Sequence, residues 1–283
     1  YWPEFAAGGK ERVEVRHIMS HTAGIPGWDE PLAREDLLDH DKIVRLSAAQ
    51  EPWWEPGTQS GYHAISQGYL LGEILRRVDG RTMGQFFAEE IAGPLGADFH
   101  IGTGAEHDDR IAHVIPPSKP LNADGYDADS VAVRTVTNPR LRAEYSSTKE
   151  WRRAEIPAAG GHGNARSVAR VHAATANEGS VDGVTLMRPE TIGKIFDLQY
   201  DGADLMLPLP VTLGMGFGLP GVRMPAPNPR TCYWGGWGGS LALIDVDAKV
   251  SFAYVMNKMF DGTTGDLRAF GPLMATVGAV SRT

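Results

Sequence analysis

The strand-like runs of this chain are confined to its C-terminal third. Residues 213–219, 241–244 and 250–256 are apolar runs bounded by turn residues, and Asp245-Val246-Asp247-Ala248-Lys249 joins the last two as a hairpin. Upstream, apolar residues follow helical spacing instead. Leu70, Leu71, Ile74, Leu75 and Val78 fall on one face of a helix predicted over 65–78. This segregation predicts an α+β chain, in which an antiparallel sheet flanked by helices accompanies a largely helical second region. The 283 residues hold one large domain or two small ones, at roughly 100–200 residues apiece. We place the mostly helical region at 1–165 and the helices plus antiparallel sheet at 166–283.

Glycine and proline punctuate the helical part. A short amphipathic helix over 13–19 stops at Thr22-Ala23-Gly24, where glycine takes a left-handed cap, and 24–31 reads as a loop. A polar helix over 37–49 meets Pro52 and then Pro56-Gly57, which forbid its continuation and deliver the chain by a tight turn to Ser60-Gly61-Tyr62. Residues 98–138 have weak periodicity and are expected to be irregular. Asn164 is placed to cap a helix whose Val168, Val171, His172 and Thr175 share a face, Pro189 to open another at its first position, and 267–280 to lie as a helix against the sheet.

Composition narrows the function classes. Lys and Arg number 27 against 35 Asp and Glu, a net charge of −8 that gives no attraction for nucleic acid or an anionic membrane. No apolar run approaches the ~20 residues of a spanning helix. The single Cys232 cannot form an intrachain disulfide and lacks the paired spacing of a zinc site. His17 and His21 stand one helical turn apart, yet Ile18 occupies the position where a metalloprotease helix needs Glu, so a capping or structural role is favoured. Asp245 and Asp247 sit in the hairpin turn and are read as turn formers rather than an acid pair. Trp28, Trp53 and Trp54 are read as packing residues. No cofactor or metal is implied. The cytoplasm is the favoured compartment, with oligomeric state left open.

Three motifs remain, in a definite order. His17-Ile18-Met19-Ser20-His21-Thr22-Ala23-Gly24 comes first, then Pro56-Gly57 ahead of Gly61-Tyr62 and an amphipathic helix, then Trp234-Gly235-Gly236-Trp237-Gly238-Gly239-Ser240 opening a strand. This set resembles the serine β-lactamase and penicillin-binding-protein superfamily, and within it the β-lactamase-like carboxylesterases of family VIII. The likeness extends over nearly the whole chain, including Pro94-Leu95-Gly96 and Ala159-Gly160-Gly161. It implies a Ser nucleophile whose proton is moved by a Lys and a Tyr, and it places Tyr62 at the tyrosine position as general base and acid. A phenol with an ordinary pKa of about 10 accepts a proton near neutrality only beside a cation, which the family's Lys would supply.

By the same resemblance, Trp234, Gly235 and Gly236 bind substrate along the strand, where the glycines let backbone approach closely, and the Trp237 N–H serves as an oxyanion donor. Two departures favour neutral esters over β-lactams. Ala64 stands where many relatives carry Asn, and Trp234 replaces a cationic or polar residue that would hold a carboxylate. The family's Ser-x-x-Lys lies upstream of the segment resembling residues 1–5, so the nucleophile is expected outside this stretch, which alone should be inactive. Ser146-Ser147-Thr148-Lys149 has the spacing but follows Tyr62 and lies in a polar stretch; we do not assign it. The expectation is a serine hydrolase of small neutral esters, with a small-molecule ester as its partner. The alternatives are a non-catalytic binding protein on the same scaffold, or a β-lactamase or D-amino-peptidase type hydrolase in which Arg223 or Arg230 would bind carboxylate.

Overall fold

The computed structural model describes all residues except 120–126, 208, 223, 227, 263–264 and 281–283. Its helices are α1 (Val15–Met19), α2 (His40–Ala49), α3 (Ser66–Asp79), α4 (Met83–Phe86), α5 (Gly93–Leu95), α6 (Val131–Thr137), α7 (Lys149–Arg153), α8 (Ala165–Ala176), α9 (Pro189–Gly193) and α10 (Leu267–Val280). The strands are β1 (Phe99–Ile101), β2 (Gly161–Gly163), β3 (Ser180–Val181), β4 (Val184–Thr185), β5 (Tyr200–Ala203), β6 (Pro210–Leu213), β7 (Thr231–Gly235), β8 (Leu241–Asp245) and β9 (Val250–Tyr254). The α+β reading holds, and each of these strands pairs antiparallel with its neighbour. Among the described residues, no helix is long and apolar enough to cross a membrane.

Capping chemistry sets the helix starts. Asp39 accepts the Lys42 N–H at 3.0 Å to open α2, Asn164 accepts the Ser167 N–H at 2.9 Å to open α8, and Pro189 occupies the first turn of α9. The cap at Asp39 also splits the helix expected over 37–49, leaving Arg34–Leu38 as a separate 3-10 turn. At the other end of α2, the buried Lys10 ammonium donates to Ala7, Ala48 and Gln50 carbonyls, a cation placed on a helix C-terminus.

The helix α3 forms where its periodicity requires, but it is rotated from the expected face. Ser66, Tyr69, Leu70 and Glu73 are buried, whereas Val78 is exposed. Glu73 tolerates burial because Arg76 and Arg77 both bind its carboxylate, at 2.7 and 2.6 Å. A Cβ at Gly68 would lie 2.5 Å from the Ala158 nitrogen, so only glycine lets α3 seat against residues 157 and 158.

Two clusters fill the helical part, one around Ile18, Ile25, Val44 and Leu70, the other around Trp28, Ile43, Tyr69, Trp151 and Ile156. A third, with Ile192, Ile195, Cys232 and Ile244, lies beneath the sheet. The strands β7, β8 and β9 form a meander with Trp234 opposite Ala242 and Gly235 opposite Leu241. Gly218 bridges both Leu213 and Tyr233, joining the β5–β6 hairpin to β7. α8 packs across β8 and β9, and α10 lies on β9.

Two expectations are corrected. The run 213–219 is not one strand: β6 ends at Leu213, and Gly216 at φ +80° breaks the extended backbone before Gly218 pairs again. The stretch 98–138 is more regular than expected, holding β1, a 3-10 turn over Ala105–Arg110 and α6, though its residues 120–126 lie outside the described residues. Short elements of three to seven residues give little periodicity to read.

Gly24 carries the loop after α1. Its φ is +78°, and a Cβ there would meet Pro52 Cβ and the Trp54 carbonyl oxygen, each at 2.7 Å. Gly24→Ala is expected to destabilise the protein by about 1–3 kcal/mol through left-handed strain and overlap. Urea unfolding measures it; an unchanged midpoint would show that the loop relaxes freely.

Candidate active site

The turn from Ser60 to His63 is held on both flanks. On one side it lies against the motif that follows α1: the Gly61 N–H donates to the His21 carbonyl at 3.1 Å, and the His63 N–H to His21 Nδ1 at 3.2 Å. His21 itself adopts φ +61°, a conformation few side chains take. His63 is buried, and its Nε2 accepts the Ile25 N–H at 3.1 Å. The proton therefore sits on Nδ1, which donates to the Gly61 carbonyl at 2.6 Å. On the other side stands Asp204, whose carboxylate accepts from Ser60 Oγ at 2.6 Å and from the Tyr62 N–H at 3.0 Å.

This clamp leaves the Tyr62 ring projecting toward the sheet. Trp234, on β7, donates its indole N–H to the phenol oxygen at 3.4 Å. The His21 ring stands edge-on to Tyr62 at 4.8 Å and stacks on Trp234 at 5.4 Å. Burial pushes the Tyr62 phenol above its ordinary pKa, the Trp234 hydrogen bond opposes this, and the Asp204 charge adds to it. Tyr62 is thus a neutral phenol in this environment, holding its proton more firmly than a free phenol until a cation is brought beside it.

Beyond β7 the chain turns through glycines. The Gly236 N–H donates to the Ser240 carbonyl at 2.8 Å, the Gly239 N–H to the Gly236 carbonyl at 3.1 Å, and Gly238 and Gly239 have φ of +90° and +115°. Among the described residues, the Trp237 N–H meets no acceptor, which leaves it able to donate to a ligand oxygen.

Tyr62, Gly236 and Trp237 line one cavity of about 730 Å³. Most of its wall is apolar, with Phe99, Trp151, Met206, Leu207, Met256 and Met259 contributing. Trp234 and Gly235 are not among the lining residues: Trp234 backs the phenol, and Gly235 continues the β7 ladder opposite Leu241. Among the described residues one charged side chain, Arg142, joins the lining, and nothing in its local sequence pattern marks it. Its guanidinium lies 3.6 Å from Glu144, and both side chains are largely exposed, so the pair is weak and leaves Arg142 free to meet an anion. Asp204 is equally invisible to sequence reasoning as a site residue, because its partners in the tyrosine segment, Tyr62 and Ser60, are 142 and 144 residues away in the chain.

The remaining candidates have other roles. Ser146 lines the cavity, but its Oγ donates to the Ala143 carbonyl at 2.7 Å, and Lys149 is exposed with Asp108 at 4.0 Å, so the two do not form a Ser-Lys dyad. His17 caps α1, its Nδ1 accepting the Glu14 N–H at 3.2 Å. Trp28 donates to Ser47, Trp53 donates to Asp29 and lies under the Arg134 guanidinium, and Trp54 packs edge-on to His63. Asp245 accepts the Ala248 N–H within the hairpin, and Asp247 binds Arg230. Arg230 is shared between Asp247 and Glu178, and Arg223 lies outside the described residues.

Burial holds His63 neutral, with its pKa brought down to about 4, and holds His21 well below its usual value. The unfolded chain takes up these protons more readily, so folding stability is present at neutral pH and is lost as pH falls from 6.5 toward 4. For His63 alone this amounts to about 2–3 kcal/mol between pH 7 and 4.5. Urea unfolding at both pH values is expected to show a smaller pH-dependent loss for His63→Gln than for the parent, and equal losses would contradict it.

A family model described as Beta-lactamase matches residues 1–271. The protein Esterase/beta-lactamase LipL of Mycobacterium tuberculosis is 33% identical over 280 residues, covering 92% of this chain. The chain spans 62% of that relative's length. Among solved structures, a family VIII carboxylesterase superposes with a TM-score of 0.90 at 37% identity, over 99% of this chain and 74% of its own. A penicillin-binding protein homologue from Caulobacter crescentus gives 0.84 at 37% identity, over 95% of this chain and 71% of its own. Matched along nearly its full length in both sequence and fold, the chain belongs to the beta-lactamase family.

Proposed function

We propose that this chain is the larger part of a serine carboxylesterase that cleaves small neutral esters through an acyl-enzyme. The observation that carries the reading is that Tyr62 and Trp237, whose N–H meets no acceptor among the described residues, line one largely apolar cavity. Its likeness to a family VIII carboxylesterase and to an esterase/beta-lactamase supports the same reading. In this reading the nucleophilic Ser and its Lys come from sequence upstream of residue 1. As the Ser oxygen bonds to the acyl carbon its proton passes to Tyr62, held as phenolate by the upstream Lys, and the carbonyl oxygen takes negative charge beside the Trp237 N–H. As the carbonyl re-forms, the bond to the alcohol oxygen breaks and the alcohol departs with that proton from Tyr62. Water then takes the place of the alcohol: its oxygen bonds to the acyl carbon while Tyr62 receives its proton. As the carbonyl re-forms the acyl–Ser bond breaks, Tyr62 returns the proton to the Ser oxygen and the acid leaves.

Arg142 favours a second reading. An arginine at the wall of a largely apolar cavity is suited to a substrate carboxylate, such as that of a β-lactam. The two readings separate by kcat/KM for a neutral aryl acetate and for a cephalosporin in the complete gene product. We expect the ester to be preferred. Preference for the cephalosporin, abolished by Arg142→Gln, would establish the second reading instead.

Two further outcomes test the proposal. The 283-residue chain is expected to show no ester turnover and no stoichiometric labelling by a fluorophosphonate, whereas the complete product shows both; labelling of the chain at Ser146 would overturn the upstream assignment. In the complete product, Tyr62→Phe is expected to lower kcat by roughly 10²–10⁴. Its melting transition should change little, since the bond from Trp234 to the hydroxyl is a long one. Near-normal turnover would reduce Tyr62 to a packing residue.

A further inference from the structure

Asp204 sits at the end of the β5–β6 hairpin, 3% exposed, and holds two separate pieces of the cavity. From the tyrosine turn it accepts the Ser60 hydroxyl on Oδ2 and the Tyr62 N–H on Oδ1, at 2.6 and 3.0 Å. From the loop after β5 it accepts the Met206 and Leu207 N–H groups on Oδ1, at 2.9 and 2.8 Å. Around it, the Leu205 N–H donates to the Ser60 carbonyl at 2.8 Å, so the two segments also run side by side. Tyr62, Met206 and Leu207 all line the cavity. A carboxylate without a cationic partner is costly to bury unless its lone pairs are filled, and here four donors from two chain segments fill them.

We propose that Asp204 is a positioning residue that sets the separation between the Tyr62 phenol and the Met206 and Leu207 wall against which the substrate's apolar part rests. This rests on the carboxylesterase reading above. Asp204 is the side chain that bonds the backbones of both the turn and the wall. Displacing it therefore shifts the proton-transferring group and the substrate-binding wall relative to one another. Rate and chain-length selectivity change together, because reacting groups lose rate steeply on misplacement by about 1 Å.

The test compares Asp204→Ala with Asp204→Asn in the complete gene product. Asn keeps an Oδ1 acceptor for the three N–H groups, and its amide can donate to the Ser60 oxygen. With aryl acetate and aryl hexanoate, Asp204→Ala is expected to lower kcat on both esters by roughly 10–100-fold and to change the ratio of their KM values at least several-fold. Asp204→Asn should recover most of both effects. Hydrogen exchange provides a readout that needs no turnover: the amides of Tyr62, Met206 and Leu207 should lose protection together in Asp204→Ala and keep it in Asp204→Asn, with α8 unchanged. Ser60→Ala removes one of the four bonds and should show the same pattern at smaller amplitude; it replaces Asp204→Ala if that variant does not fold. An unchanged KM ratio, loss of protection on one side only, or an Asn variant as impaired as the Ala variant would overturn the proposal. A parent protein without ester turnover would instead reject the carboxylesterase reading, and hydrogen exchange would still decide whether Asp204 holds the two segments.

Discussion

Burying the turn from Ser60 to His63 is the constraint around which the site is arranged. A turn exposes backbone N–H and carbonyl groups that a helix or strand would pair internally, so carrying it inside requires partners brought from elsewhere. Two distant segments supply them. The His21 carbonyl and ring serve the Gly61 and His63 amides, while Asp204 serves Ser60 and Tyr62. The strained φ of His21, the glycine loop that follows it and the buried carboxylate all trace to this requirement.

Charge is kept out of the same volume except where it is bonded. His21 and His63 are neutral because burial disfavours their protonated forms, and Tyr62 is a neutral phenol for the same reason. Trp234 adds an N–H donor and an aromatic face without adding charge. The result is an aromatic, uncharged backing to the phenol, in which any cation that approaches has a strong effect on its acidity because little water is present to screen it. Part of the cavity lining is adaptable: three methionines, Met206, Met256 and Met259, contribute to it, and their flexible thioethers conform to varied apolar groups.

Placement of these walls depends on the junction between helices and sheet. Gly68 allows α3 to close on residues 157 and 158, which line the cavity, and Gly218 ties the β5–β6 hairpin to β7 so that Asp204 and Trp234 approach Tyr62 from related strands. A shift of either contact would change where Tyr62 lies relative to the Trp237 N–H. The packing of apparently remote glycines therefore bears on chemistry.

Local signals make much of this legible from the chain alone. The offsets of Leu70, Leu71 and Ile74 specify a helix, Asn164 and Pro189 specify helix starts, Gly24 a left-handed stop, and the run over 241–256 a hairpin, because each depends on residues within a turn or two of chain. Tyr62, Gly236 and Trp237 are legible as a set because their motifs are local and ordered. The rotation of α3 is not, since it depends on Gly68 meeting Ala158, far along the chain. Neither is the interrupted strand after Leu213, where glycine torsions override an apolar run. Asp204 and Arg142 carry no motif at all. Their places follow from contacts between segments far apart in the chain, which no window along the sequence contains: sequence determined the elements and the residue types of the site, and tertiary packing decided which of them meet.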